Sequence, residues 1–298
     1  MNTIQEIPLQ NQQDFWSMLY LSLGKSVMEI CGRRGEAAIR TALQSIAEEE
    51  GHRFRAYCLE RGGRPNLSAL YQMGCGCARD PRMRSAVLED QEQMRIWEVY
   101  TCPMANLWLD AGQSFLANLY CEENQLGLMA AYTGGKGQFH LTKKLTCRRD
   151  NGCRADNYCR FSAYYRAANV DEAQRAECFS PEGEVQPPLF PLESPEEALA
   201  RKSVQLVCRL AEKAKALFGQ EGLCAVSQGL RALVQPTAEL LMHNAAMTLS
   251  GDLERFVEVN LPAVLDPEGD AWARYGSEEG RALFQCCFAV PLKQRLGL

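Results

Sequence analysis

The spacing of hydrophobic residues changes several times along this chain, and each change marks an element. Between residues 13 and 61 apolar side chains recur at helical spacing, with Ile39, Leu43, Ile46, Phe54 and Tyr57 near one stripe that Gly51 interrupts. The cluster Gly62-Gly63-Arg64-Pro65-Asn66 ends that pattern, and residues 67–73 offer one more short helix. Over residues 94–101 the period becomes two. Met94, Ile96, Glu98 and Tyr100 alternate with Arg95, Trp97, Val99 and Thr101, and the aromatic and β-branched content predicts a strand. Pro103 follows at once, in a position suited to the first turn of a helix, and Met104, Leu107, Trp108, Ala111 and Phe115 continue at helical spacing.

A second alternation runs over residues 139–147. Phe139, Leu141, Lys143, Leu145 and Cys147 share one face, and His140, Thr142, Lys144 and Thr146 share the other. Asp150-Asn151-Gly152 predicts a turn, and Cys159, Phe161, Ala163 and Tyr165 form the apolar face of a returning strand. This parity turns Cys147 and Cys159 inward and sets His140 opposite Cys147.

Five prolines (Pro181, Pro187, Pro188, Pro191 and Pro195) among charged residues predict a linker or extended wrap over 177–194. Ser194-Pro195-Glu196-Glu197 then reads as a helix start: an N-cap, a proline at the first helical position, and a capping-box glutamate. Leu199, Ser203, Leu206, Leu210, Ala214 and Leu217 form its stripe. Helical spacing continues to about residue 290, punctuated by Gly219, Gly229, Pro236 and Gly251. The expected fold is α+β, with helices packed on a small antiparallel sheet and a helical C-terminal extension. The expected divisions are an α+β domain over 1–176, a linker over 177–194 and the extension over 195–298.

Charge narrows the range of partners. Lys and Arg total 32 against 37 Asp and Glu, a net charge of −5, so no basic field draws nucleic acid. Lys143, Lys144, Arg148 and Arg149 cluster locally, but no aromatic platform interleaves with them, and they read as a solvated hairpin edge. The first residues, Met1-Asn2-Thr3-Ile4-Gln5-Glu6, lack the basic and apolar regions of a secretion signal. No stretch reaches the roughly 18 apolar residues that a membrane span needs. Fourteen cysteines in such a chain point to free thiols in a reducing compartment, the cytoplasm. The expected partner is a small-molecule substrate, with no nucleic acid and no membrane, and a homo-oligomer remains compatible.

The candidate chemistry lies between Cys102 and Cys178. Cys102 stands at a strand-to-helix junction, where the helix dipole and free amides favour a thiolate and can hold an oxyanion. The competing reading is a small hydrophobe buried at a strand end. Cys121 beside Glu122 and Glu123 joins a thiol to a general base, against the alternative of a solvated acidic helix end. Cys147, Cys153 and Cys159 are too widely spaced for a zinc knuckle. A metal site is therefore not expected, with zinc or iron on thiolates, completed by Cys102 or Cys121, as the alternative. Cys75-Gly76-Cys77 reads as a turn bearing two thiols. His52 reads as a surface residue, Glu239 and His243 as an ordinary helical pair, and His140 as a polar-face residue of the second strand. No glycine-rich phosphate loop, Gly-x-Ser-x-Gly elbow or His-Glu-x-x-His is present.

These motifs carry a resemblance. The order Cys102-Pro103-Met104-Ala105, a helix ending near Gly112, Tyr120-Cys121-Glu122-Glu123, Thr142-Lys143-Lys144-Leu145 and Cys159-Arg160-Phe161 resembles the L-2-amino-thiazoline-4-carboxylic acid hydrolase family. Gly51-His52-Arg53-Phe54-Arg55, Glu60-Arg61-Gly62 and Asn66-Leu67 resemble that family's helical N-terminal part, so the likeness spans roughly residues 35 to 165. It implies hydrolytic opening of a cyclic amidine-like ring to N-carbamoyl-L-cysteine. Cys102, Cys121, Glu122 and Glu123 would be the catalytic residues, with Asn124, His140 and Cys159 binding substrate and no cofactor. The chain departs from the pattern at Gln125, in the length of its 147–159 hairpin, and in its C-terminal extension. The strand–helix–hairpin order is also similar to small-molecule-binding modules of the 4-vinyl reductase type, which implies ligand or metal binding without turnover.

Overall fold

The computed structural model describes residues 7–74, 80–144, 158–181, 189–248, 251–261 and 266–298. The N-terminal helical pattern becomes two long helices, α1 (Ile7–Cys31) and α2 (Gly35–Glu60), joined by a 3-10 turn at Gly32–Arg34. Gly32 supplies the positive φ of 62° at that junction. The chain divides into two compact units, Leu43–Ser194 and Met1–Ala42 with Pro195–Leu298. α2 crosses from one to the other.

The Leu43–Ser194 unit contains α3 (Leu67–Gln72), β1 (Arg84–Asp90), β2 (Met94–Thr101), α4 (Pro103–Asp110), α5 (Ser114–Tyr132), β3 (Gln138–Lys143), β4 (Cys159–Tyr164) and α6 (Glu172–Cys178). The four strands form one antiparallel sheet in the order β1-β2-β4-β3, the small sheet that the alternations predicted. β2 has the bounds set by its alternation. β1 is an edge strand whose residues are nearly all exposed, so it carries no inside–outside alternation for a sequence reading to find.

Register assigns the sheet faces. Val99 pairs with Cys159, Trp97 with Phe161, and Arg95 with Ala163, while Phe139 and Leu141 of β3 face Ala163 and Phe161. Opposed residues share a face, so these side chains form the apolar side. There the Trp97 and Phe161 rings stack at 5.0 Å and Tyr71 meets Trp97 edge-on at 5.0 Å. The other face is polar: Arg160 pairs with Glu98 at 3.4 Å, and Tyr100 donates its hydroxyl to the same carboxylate.

α2 runs unbroken through Gly51, contrary to the expected interruption. A Cβ there would lie 2.6 Å from the Leu128 carbonyl oxygen, and one on Gly127 would lie 2.9 Å from both the Ala47 Cβ and the Gln44 carbonyl oxygen. The two glycines therefore let the backbones of α2 and α5 touch. The helix expected to continue from Met104 to Phe115 does end early. Gly112 takes φ 69° between α4 and α5, and Phe115, in the first turn of α5, has 46% of its surface exposed.

The other unit joins α1 to α7 (Pro195–Phe218), α8 (Gln220–Met247), α9 (Leu253–Asn260), α10 (Asp270–Tyr275), α11 (Glu278–Phe284), a π-helical turn at Gln285–Ala289 and α12 (Val290–Leu296). Gly219, at φ 60°, separates α7 from α8, but α8 continues through Gly229 and Pro236. At Gly229 the missing side chain admits α1: Ser22 donates its hydroxyl to the Gly229 carbonyl at 2.7 Å, and Ser26 does the same to Ala225. Phe15, Phe288, Phe284 and Trp272 form a continuous row of rings at centroid spacings of 5.0 to 5.4 Å.

These contacts change the expected division at 1–176. Residues 1–42 group with the C-terminal helices because α1 buries Phe15, Leu19, Leu23 and Val27 there. The start of the proline-rich stretch is also folded. Cys178 closes α6, and Ser180 bonds Glu92 at 2.7 Å; at the far end Glu193 pairs with Arg53 at 3.2 Å. Among the described residues, no helix is long and apolar enough to cross a membrane.

Candidate functional site

Cys102 is the N-cap of α4. Its backbone is extended (φ −130°, ψ 116°), its carbonyl accepts the first helical hydrogen bond from Asn106 at 3.0 Å, and its thiol does not cap the helix. The residue is 8% exposed. Pro103 has no N–H, so the amides without an intrahelical acceptor at this end belong to Met104 and Ala105. The thiol thus sits at the positive end of the helix dipole, a location that favours a thiolate.

α5 supplies the next candidates. Tyr120 meets Trp108 of α4 edge-on at 5.5 Å, which fixes one helix against the other. Cys121 is half-buried, Glu122 is partly exposed, and Glu123 and Asn124 are buried. Successive helical residues turn by about 100°, so the two glutamates face different neighbours. Glu122 forms an ion pair with Lys144, just beyond β3. Glu123 accepts a hydrogen bond at 2.5 Å from the Gln44 amide of α2. The two carboxylates therefore bond to different partners.

Cys159 opens β4 on the apolar face, 6% exposed, and the β2–β4 ladder places it opposite Val99, three residues before Cys102. His140 pairs with Ser162 on the other face, exposed, with its ring 6.2 Å from that of Tyr164. The sheet therefore separates His140 from Cys159. His52 and His243 are exposed, and Glu239 accepts a hydrogen bond from Gln235. No disulfide joins the cysteines among the described residues, and no group of three or more His, Cys, Asp or Glu among them is placed to hold a metal ion. Leu145, Cys147, Cys153, the Asp150-Asn151-Gly152 turn and Cys75-Gly76-Cys77 lie outside the described residues.

A second cluster had little signal in the sequence. Cys58, Cys178, Tyr132 and Tyr165 are all sealed from solvent. Tyr165 donates to the Cys178 sulfur at 3.3 Å and accepts from the Gln174 amide at 2.8 Å. Tyr132 donates to the Asn66 carbonyl at 3.0 Å. Arg55 bonds the Tyr132 carbonyl at 3.1 Å, approaches the Cys178 sulfur at 3.8 Å, and pairs with Glu177. Burial pushes the Cys58 thiol up to about 11 and raises both tyrosine hydroxyls above their ordinary value. Cys58 and the two tyrosines keep their protons, and the cluster ties α2, α5, α6 and the end of β4 together. The sequence offers only the spacing of Arg55 and Cys58, three apart on one helix; Tyr132 and Cys178 come from distant elements.

Comparison of the chain with protein-family models, with curated proteins and with solved structures returns no match.

Proposed function

We propose that this protein is a thiol-dependent hydrolase acting on a small cyclic amidine or thiazoline carboxylate, in the manner of the L-2-amino-thiazoline-4-carboxylic acid hydrolase family that its central segment resembles. The observation that carries this reading is Cys102: a thiol at the start of α4, held in extended backbone beside the amides of Met104 and Ala105. The Cys102 thiolate attacks the ring carbon that bears nitrogen and sulfur. The ring carbon–sulfur bond breaks, and the released sulfur takes a proton. Water then adds to the same carbon, Cys102 leaves, and the product is an N-carbamoyl amino acid with a free thiol. Developing negative charge is stabilised by the helix-start amides.

Glu122 is the better acid/base. It is partly exposed and held by Lys144, whereas Glu123 is buried against Gln44. Cys121, beside Glu122, and Asn124 and Cys159 complete the substrate-facing set. His140, on the opposite sheet face, is outside it.

Incubation with 2-aminothiazoline-4-carboxylate and related cyclic amidines, followed by mass spectrometry, tests the reading. Turnover in the wild type, lost in a folded Cys102→Ala variant, is the expected result. Stoichiometric binding without product across that panel would instead favour a non-catalytic binding module of the 4-vinyl reductase type.

A further inference from the structure

The second unit contains a pair of thiols that the proposed reaction does not use. Cys286 and Cys287 are adjacent in sequence, and their sulfurs lie 3.4 Å apart. Neighbouring residues of an ordinary α-helix do not face each other, since each step turns the side chain by about 100°. Here the helix is not ordinary. The α-helical partner of the Cys287 carbonyl would be the N–H of residue 291, which is Pro291, and a proline both lacks that hydrogen and crowds the carbonyl four residues back. The backbone widens into the π-helical turn at Gln285–Ala289, where the Val290 N–H reaches back five residues to the Gln285 carbonyl.

Exposure divides the pair. Cys286 is open to solvent and also donates weakly to the Leu283 carbonyl at 3.6 Å, whereas Cys287 is 1% exposed. A ligand can thus enter at one sulfur and be anchored at the other. We propose that Cys286 and Cys287 form a paired-thiol site for a soft, thiophilic cation of the Cu(I) class. Thiolates select such ions, and two sulfurs suffice for them, whereas structural zinc requires four ligands. Among the described residues no third His, Cys, Asp or Glu joins the pair.

The proton on Cys286 competes with the cation for the sulfur. Partial burial, followed by the hydrogen bond and the charge of Cys287, holds the Cys286 thiol above its ordinary value, while Arg231 of α8 pulls it down. Two thiolates this close repel, and a cation between them removes the repulsion. Each thiol gives up its proton as its metal–sulfur bond forms, with no change of oxidation state.

The test uses the reduced full-length protein without oxygen. Cu(I) is titrated in competition with a chromophoric chelator. The Cys286→Ser and Cys287→Ser variants should each bind about a hundredfold more weakly or worse, because the second sulfur no longer acts at high effective concentration. Cys224→Ser, which removes an exposed thiol elsewhere on α8, should bind as the wild type does. Phenylarsine oxide, which exchanges its oxygen for two thiol sulfurs with release of one water, probes the geometry independently. One equivalent should suppress alkylation of Cys286 on the tryptic peptide 282–293, and Cys287→Ser should abolish that protection. Unchanged Cu(I) affinity in folded Cys286→Ser, or arsenical protection that persists in Cys287→Ser, would overturn the proposal.

Discussion

Tyr165 donates its hydroxyl hydrogen to the sulfur of Cys178 across 3.3 Å, with both side chains sealed from solvent. The bond joins the end of β4 to the end of α6, thirteen residues apart in the chain. Gln174 adds a second bond to the same hydroxyl, and the Tyr165 ring packs against Phe179 at 5.0 Å.

Tyr165→Phe should keep that ring contact and lose both hydrogen bonds. Gln174 retains its bond to the Thr133 carbonyl, so the expected cost is about 1–3 kcal/mol. Equilibrium urea unfolding at neutral pH measures it, and a midpoint equal to that of the wild type would show that the network contributes nothing.

The same cluster sets an alkaline limit on stability. The Cys58 thiol titrates near 9 in the unfolded chain and at about 11 when folded. Below pH 9 both states hold the proton and the shift has no effect. As pH rises from about 9 to about 11, the unfolded chain releases a proton that the folded protein retains, so stability falls through that window. The raised hydroxyls of Tyr132 and Tyr165 act in the same direction above their ordinary value of 10.0. Urea midpoints at pH 8 and 10.5 should differ, and Cys58→Ala should reduce the difference.

Gly127→Ala should be destabilising despite alanine's better helix propensity. The new methyl would lie 2.9 Å from both Ala47 and the Gln44 carbonyl, and neither neighbour is a flexible chain end. Forcing α2 and α5 apart should cost about 1–3 kcal/mol, read as a lower thermal midpoint.

The two adjacent glutamates should behave differently when removed. Glu123→Ala leaves Gln44 without its buried acceptor and should cost about 1–3 kcal/mol. Glu122→Ala breaks a partly exposed pair with Lys144, with side-chain exposures of 34% and 22%, and should cost less than about 1 kcal/mol. Chemical denaturation gives both values. Under the proposed mechanism Glu122→Ala should also slow turnover while leaving the fold intact.

Local chemistry made much of the architecture legible. The 94–101 strand, the helix starts at Pro103 and Pro195, the short helix at 67–72 and the inward parity of Cys159 all follow from period, proline placement and side-chain alternation. These are properties of a few consecutive residues, so the sequence alone determines them. It also placed Cys102 at a helix start, because Pro103 and the end of the alternation meet there.

Only the folded chain decided which elements became neighbours. α1 joins the C-terminal helices because Gly229 lets Ser22 approach, and nothing near residue 22 carries that information. Gly51 reads locally as a helix interruption and becomes a seat for α5, since its role depends on a backbone more than seventy residues away. Glu122 and Glu123 look like a pair in the sequence and are separated by helical rotation toward Lys144 and Gln44. The thiols of Cys58 and Cys178 become buried only when α2, α5, β4 and α6 come together. Periodicity fixes a residue's face within its own element, whereas burial, partner and charge state depend on distant segments that the local pattern does not encode.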